Sequence, residues 1–151
     1  MLNKARRRLW TLRHCKKAGL SKDDLLKVFY VFIRPLLEYA APTFHPMLNN
    51  YLRDQIEQIQ KRACKLVFGW DSSYDKLCES GTITTLEKRR EALTLNFAKK
   101  CIKDNRFQHW FKEKPRNNLR SNKIYEEQFA KTERLRKSPL FYMRRALNEE
   151  S

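Results

Sequence analysis

The side chains that could carry out bond-making chemistry are few in this sequence and poorly arranged for it. Phosphoryl transfer by paired metal ions needs carboxylates that hold the ions about 4 Å apart. The acidic pairs are Asp23-Asp24, Glu126-Glu127 and Glu149-Glu150. The first follows Ser21 at a helix start, where the helix dipole favours acid, and the others lie in a tail poor in core formers. They read as caps and solvated charge. Cys15 directly follows His14, but consecutive residues on a helix point apart, so no base is set against a thiol. Three glycines cannot build a phosphate-binding loop. His14, His45 and His109 are scattered, without the short ligand spacings of a structural zinc site. No catalytic residue, metal site or cofactor is expected.

Charge is the stronger signal. Lys and Arg number 33 against 17 Asp and Glu, a net charge of +16, and the chain should attract polyanions. The excess is densest at the start, where residues 1–20 hold seven basic and no acidic side chains. Arg6, Trp10, Arg13 and Lys17 recur at i, i+4, i+7 and i+11, which places them on one stripe of a helix. Lys4, Arg7 and Arg8 cover the far side. Cations neutralise phosphates and an indole can stack on a base or sugar. The candidate nucleic-acid contacts are therefore Arg6, Arg7, Trp10, Arg13 and Lys17. The competing expectation is a solvated face whose arginine stems lie over the core, and for Trp10 burial in the core is favoured because of its size. Lys61, Arg62 and Lys65 of a later helix stand outside the stripe.

These residues need a scaffold, and the pattern for one is helical almost throughout. Leu2, Ala5, Leu9 and Leu12 give residues 2–17 an apolar face that ends before Gly19. Ser21 to Asp24 resembles a capping box. The helix it opens, 22–40, is apolar nearly all round, which predicts a central element buried on every face. Pro35 lacks an N–H and should kink this helix or restart it near its own first turn. Asn49 or Asn50 caps a third helix with Leu52, Ile56, Ile59, Ala63 and Val67 on one face, stopped at Gly69. A short turn follows around Tyr74–Cys78. Thr85 caps a fourth helix over 86–103 with Leu86, Leu93, Phe97 and Cys101 as its main stripe, Leu95, Ala98 and Ile102 as a second face, and Arg90 reaching from the stripe to water or to a carboxylate.

The expected fold is all-α: a small bundle of about four main helices over 1–103, followed by a basic, aromatic and partly helical C-terminal extension, 104–151. In that extension Lys112–Asn122 reads as a polar basic loop, 123–136 as a charged surface helix, and Ser138-Pro139 as the start of a last helix through Leu147. Phe107, Trp110 and Phe111 are expected to dock rather than face solvent. The longest apolar run, Val28 to Ile33, is six residues against the roughly 20 of a membrane span. Without an apolar leader segment, the chain is expected to be intracellular, in nucleus or cytoplasm, with Cys15, Cys64, Cys78 and Cys101 reduced.

Several stretches together resemble the region after the catalytic palm in reverse transcriptases of non-LTR (LINE-type, jockey-like) retrotransposons. They are Lys4-Ala5-Arg6-Arg7-Arg8-Leu9-Trp10-Thr11-Leu12-Arg13, Lys17-Ala18-Gly19-Leu20, and Ile33-Arg34-Pro35-Leu36-Leu37-Glu38-Tyr39-Ala40-Ala41-Pro42. Gln60-Lys61-Arg62-Ala63 before Phe68-Gly69, then Thr85-Leu86-Glu87-Lys88-Arg89-Arg90, and finally Lys137-Ser138-Pro139-Leu140-Phe141-Tyr142-Met143 through Leu147-Asn148 continue the series. The resemblance spans nearly the whole chain. No Asp-Asp here has the Tyr/Phe-Ala-Asp-Asp context of that family's palm, and the endonuclease is missing. The resemblance implies a thumb-like, nucleic-acid-binding fragment, from a truncated element copy or a gene model made from one, inactive as an enzyme by itself. Its implied partners are an RNA–DNA duplex or RNA, held by backbone contacts, and the palm of a full-length reverse transcriptase. The alternative is a free-standing basic helical module that binds a protein.

Overall fold

The computed structural model of the chain describes residues 1–114 and 123–150. Helices carry most of these residues, and no strand is present among them, so the fold is all-α. None of the helices is long and apolar enough to cross a membrane. The chain divides into two compact units. One comprises Met1–Tyr39 with Asn49–Arg89, the other Ala40–Leu48 with Arg90–Ser151. This division differs from one at 103/104, because it falls inside the fourth predicted helix.

In the first unit, α1 (Leu2–Lys17) buries Ala5, Leu9 and Leu12. α2 (Lys22–Val28) starts as the sequence suggests: the Ser21 hydroxyl accepts the Asp24 N–H at 3.2 Å and donates to the Asp24 carboxylate at 2.7 Å. Those bonds, together with Lys27, hold the Asp24 carboxyl below its ordinary range. The helix then widens into a π-helical turn, Phe29–Ile33, and resumes as α3 (Arg34–Glu38) with Pro35 in its first turn. Pro35 has no N–H to give, and the wider turn moves the bonding from i−4 to i−5, with Arg34 N–H reaching Phe29 O. Such local rearrangement is how helices accommodate proline. Arg8 supports the same turn. Its Nη1 donates to Phe32 O at 2.5 Å and its guanidinium lies 4.0 Å over the Phe32 ring.

This central helix is not buried on every face. Leu25, Phe29, Ile33 and Leu37, spaced by four, are buried, whereas Val31 is 78% and Tyr39 80% exposed. The first unit covers one stripe of it, so apolarity around the whole circumference did not produce burial around it. It also ends at Glu38, because Ala40 takes the left-handed conformation (φ 55°), and the short α4 (Ala41–Phe44) follows in the chain. Glu38 is held by Arg34 at 3.5 Å and by two bonds from Arg89, at 2.5 and 3.2 Å.

α5 (Asn50–Phe68) is capped by the Asn49 side chain, which accepts the Leu52 N–H at 2.8 Å. It ends at Gly69, whose φ of 106° suits a residue without a Cβ. Its buried face is Ile56, Ile59, Gln60, Ala63, Cys64 and Val67; Leu52 is exposed. Gln60 is a polar residue inside, and its amide donates to Tyr74 Oη and Thr84 O, both at 2.8 Å. Tyr74, opening α6 (Tyr74–Glu79), donates in turn to Glu57. Burial first, then the bond to Glu57, pushes the Tyr74 phenol up from its ordinary value. Glu57 also accepts the Leu86 N–H at 3.3 Å, and Thr85 accepts the Lys88 N–H at 3.3 Å, so both satisfy the start of α7 (Leu86–Lys103).

In the second unit, α7 buries Arg90, Thr94, Ala98 and Cys101. Phe97, expected in the main stripe, is exposed, and Arg90 is buried rather than reaching to water. Ala98 and Cys101 join Phe111, Met143 and Leu147 in a cluster covered by Leu95, Ile102, Phe107, Tyr125 and Leu140. Phe111 and Phe107 thus dock; Trp110 remains at the surface, 36% exposed. The 123–136 stretch is not one helix. Only α8 (Glu133–Arg136), capped by Thr132, is helical. The Asn148 amide accepts the Tyr125 N–H at 2.8 Å and donates to Tyr125 O at 3.1 Å. Lys114 N–H donates to Ile124 O and Glu126 N–H to Lys112 O, so tertiary partners hold Tyr125 extended. α9 (Pro139–Glu150) starts at the expected proline. Its Arg144 donates to Trp110 O at 2.8 and 2.5 Å. Of the basic loop expected at 112–122, residues 115–122 lie outside the described residues.

A cationic groove on the first unit

α5 builds the site through its helical geometry. Two of its flanks are occupied. On one, Gln55 accepts a bond from Arg6, and Leu66 O accepts from Lys16 Nζ at 2.6 Å, which seats α1 alongside. On the other, Glu57 and Gln60 hold Tyr74. The residues between these flanks, Gln58, Lys61, Arg62 and Lys65, line a groove of about 740 Å³. α1 supplies one wall with Arg6, Leu9, Trp10 and Arg13, and Trp70 and Tyr74 supply the other, with Leu66 also in the lining.

Five cationic side chains and three aromatic rings therefore meet here, and among the described residues no carboxylate lines the groove. Trp10 is 63% exposed and Trp70 70% exposed. The core burial favoured for Trp10 is corrected: Ala5, Leu9 and Leu12 set the packed face of α1, and Trp10 points away from it. Its ring lies 3.7 Å, centroid to centroid, from His14. Lys65 Nζ stands 5.7 Å over Trp70 and Lys61 Nζ 5.3 Å over Tyr74, within cation–π range.

Of the five candidate residues, Arg6, Trp10 and Arg13 line the groove, while Arg7 and Lys17 are exposed on α1 outside its lining. Lys61, Arg62 and Lys65, set apart from the stripe in the sequence, share one groove with it. A signal for them was present: cations at i, i+1 and i+4 on the polar side of α5, then an aromatic just past its glycine stop. What the sequence lacked was the orientation of α1 against that face. Arg8, expected on the far side, serves the fold instead.

Elsewhere the chemistry is bland. Asp24 is engaged with Ser21 and Lys27, Glu127 with Lys123 and Asn148, and Glu150 with Lys99. Among the described residues no three His, Cys, Asp or Glu side chains converge on one point, and all four cysteines are free thiols. Comparison of the chain with family models, with curated proteins and with solved structures finds no match.

Proposed function

We propose that this chain binds nucleic acid through the α1–α5 groove. The observation that carries the reading is the convergence of Arg6, Arg13, Lys61, Arg62 and Lys65 in one groove with no carboxylate. Five like charges this close repel one another, and a polyphosphate backbone relieves that repulsion while releasing its own counterions. The resemblance to the region behind a retrotransposon reverse-transcriptase palm supports the same reading. It adds that the fragment contacts template, primer or RNA without doing the synthesis.

Replacing Arg6, Arg13 and Arg62 with Gln removes charge but keeps good helix formers. The slope of log K against log salt on RNA–DNA duplex or RNA should shrink by roughly 2 to 3, since each phosphate neutralised contributes about 0.7–0.9. Lys4, Lys22 and Lys88, exposed on the first unit and outside the groove, form the charge-matched control. Equal losses from the two triples would mean a diffuse positive field and no groove site.

No DNA synthesis is expected on a primed RNA template with Mg²⁺ or Mn²⁺. The one Asp-Asp in the chain lies in the first turn of α2, where Asp24 is tied to Ser21 and Lys27. Primer extension that co-purifies with the chain would refute this. A second reading, a protein-interaction module, is favoured by Val31 on the central helix and Tyr39 just past its end, both of which stand in solvent. A chain that failed to bind any polyanion would leave that reading in place.

A further inference from the structure

We propose that the groove takes an unpaired strand, with bases stacked on the indoles of Trp10 and Trp70 and the adjoining phosphates on the flanking cations. The inference rests on the nucleic-acid reading above and names the form of the ligand. Its basis is the pair of tryptophans. Phosphate neutralisation needs only cations, yet this groove also presents two indoles on opposite walls, 63% and 70% exposed. Exposing surface of that kind is unfavourable, and large exposed aromatics in a charged groove mark a recognition site. A duplex cannot use them, because its base faces are already stacked on one another and it offers only phosphates, sugars and base edges. An unpaired strand presents a π-face at every base, and stacking platforms inside basic grooves are how single strands are held without regard to sequence. The volume, about 740 Å³, lies in the roughly 300–1,000 Å³ range of clefts that take small-molecule ligands, so there is room for a base.

The intramolecular contacts of both rings leave room for this. His14 lies against Trp10, and Lys65 stands near Trp70 at cation–π distance. Each contact orients an indole while most of the ring stays in water. Lys61 and Tyr74 form a further cation–ring pair in the same lining, so cations and rings are both at hand for a strand that carries phosphate and base on each nucleotide.

The test compares three probes on the full chain at one low salt concentration: a short oligothymidylate, an abasic strand of equal length, and a duplex of equal total charge. The oligothymidylate should bind more tightly than the abasic strand by about tenfold per stacked base. It should quench indole emission, and the abasic strand should not. Trp10→Leu and Trp70→Leu should each lose about that factor on oligothymidylate and leave the abasic affinity unchanged. Equal affinity for the thymidylate and abasic strands, or a duplex bound as tightly as the strand, overturns the stacking proposal while the polyanion reading stands. Failure of all three probes to bind overturns both. The quench is measured on the unmodified chain and so does not depend on any variant folding, with Trp110 as a constant background outside the groove.

Discussion

Phe29→Ala should lower stability by about 3–5 kcal/mol, the cost of emptying a buried aromatic site, whereas Val31→Ala should be neutral or slightly stabilising. Both residues belong to the same π-helical turn, two positions apart, in a stretch of six consecutive apolar residues that looks uniform in sequence. Phe29 is 1% exposed and Val31 78% exposed. The first substitution leaves a void in a close-packed region, and nothing of that shape is available to refill it. The second removes methyl groups already in water and trades a β-branched residue for the best helix former. Since whole domains are stable by only about 5–15 kcal/mol, the Phe29 variant should show a large drop in urea midpoint by circular dichroism. Comparable losses for both variants would show that the central helix is enclosed on all sides, contrary to the structure.

The second expected result concerns Cys64. Its thiol is pushed up to about 12 by burial first, then by Cys78 and Glu57 nearby. Alkylation requires the thiolate. At pH 8, a group titrating near 12 rather than at its ordinary 9.0 carries about a thousandfold less thiolate, by the definition of pKa. In the folded chain Cys64 should therefore react with iodoacetamide at least about a thousandfold more slowly than in the unfolded chain. The half-buried Cys15 and Cys78 should label first, as peptide mapping would reveal. The linkage has a definite sign. Because the folded value is raised, the unfolded chain loses a proton from about pH 9 upward while the fold keeps it. Stability should accordingly fall between pH 9 and 12, by up to about 1.4 kcal/mol per pH unit from this one group. Tyr74, raised by burial and by Glu57, adds a fall of the same sign at higher pH. Cys64→Ala should flatten the pH 9–10 part of that decline. Native-state labelling of Cys64 at the rate of an unfolded thiol would show that its surroundings are open.

Element starts and stops were legible where the chain carries a local device for them. Ser21 and Asn49 each accept a backbone N–H three residues on, Thr85 does the same, and Gly69 ends α5. Pro35 restarts a helix in its own first turn. These are interactions among residues within four positions of one another, so the sequence contains both partners. The extended conformation of Tyr125 was not legible in this way, because its backbone is held by Asn148, 23 residues away. The same holds for Arg8, whose partner is Phe32; for Arg90, helical spacing placed it within the apolar stripe, but its full burial there was set by packing.

The candidate site divides along the same line. From the sequence alone come the all-α class, the helices, the basic excess and the stripe containing Arg6, Trp10 and Arg13, all of which follow from composition and a 3.6-residue period. Two things were decided only in three dimensions. One is that the polar face of α5 carrying Lys61, Arg62 and Lys65 meets that stripe across a single groove with Trp70 and Tyr74. The other is that Trp10 stands in water instead of in the core. Helical periodicity specifies directions around one axis and says nothing of how two axes are placed. That placement is set by side-chain packing and by bonds between residues far apart in the chain, such as Arg6 with Gln55 and Lys16 with Leu66, and these exist only once the helices have docked.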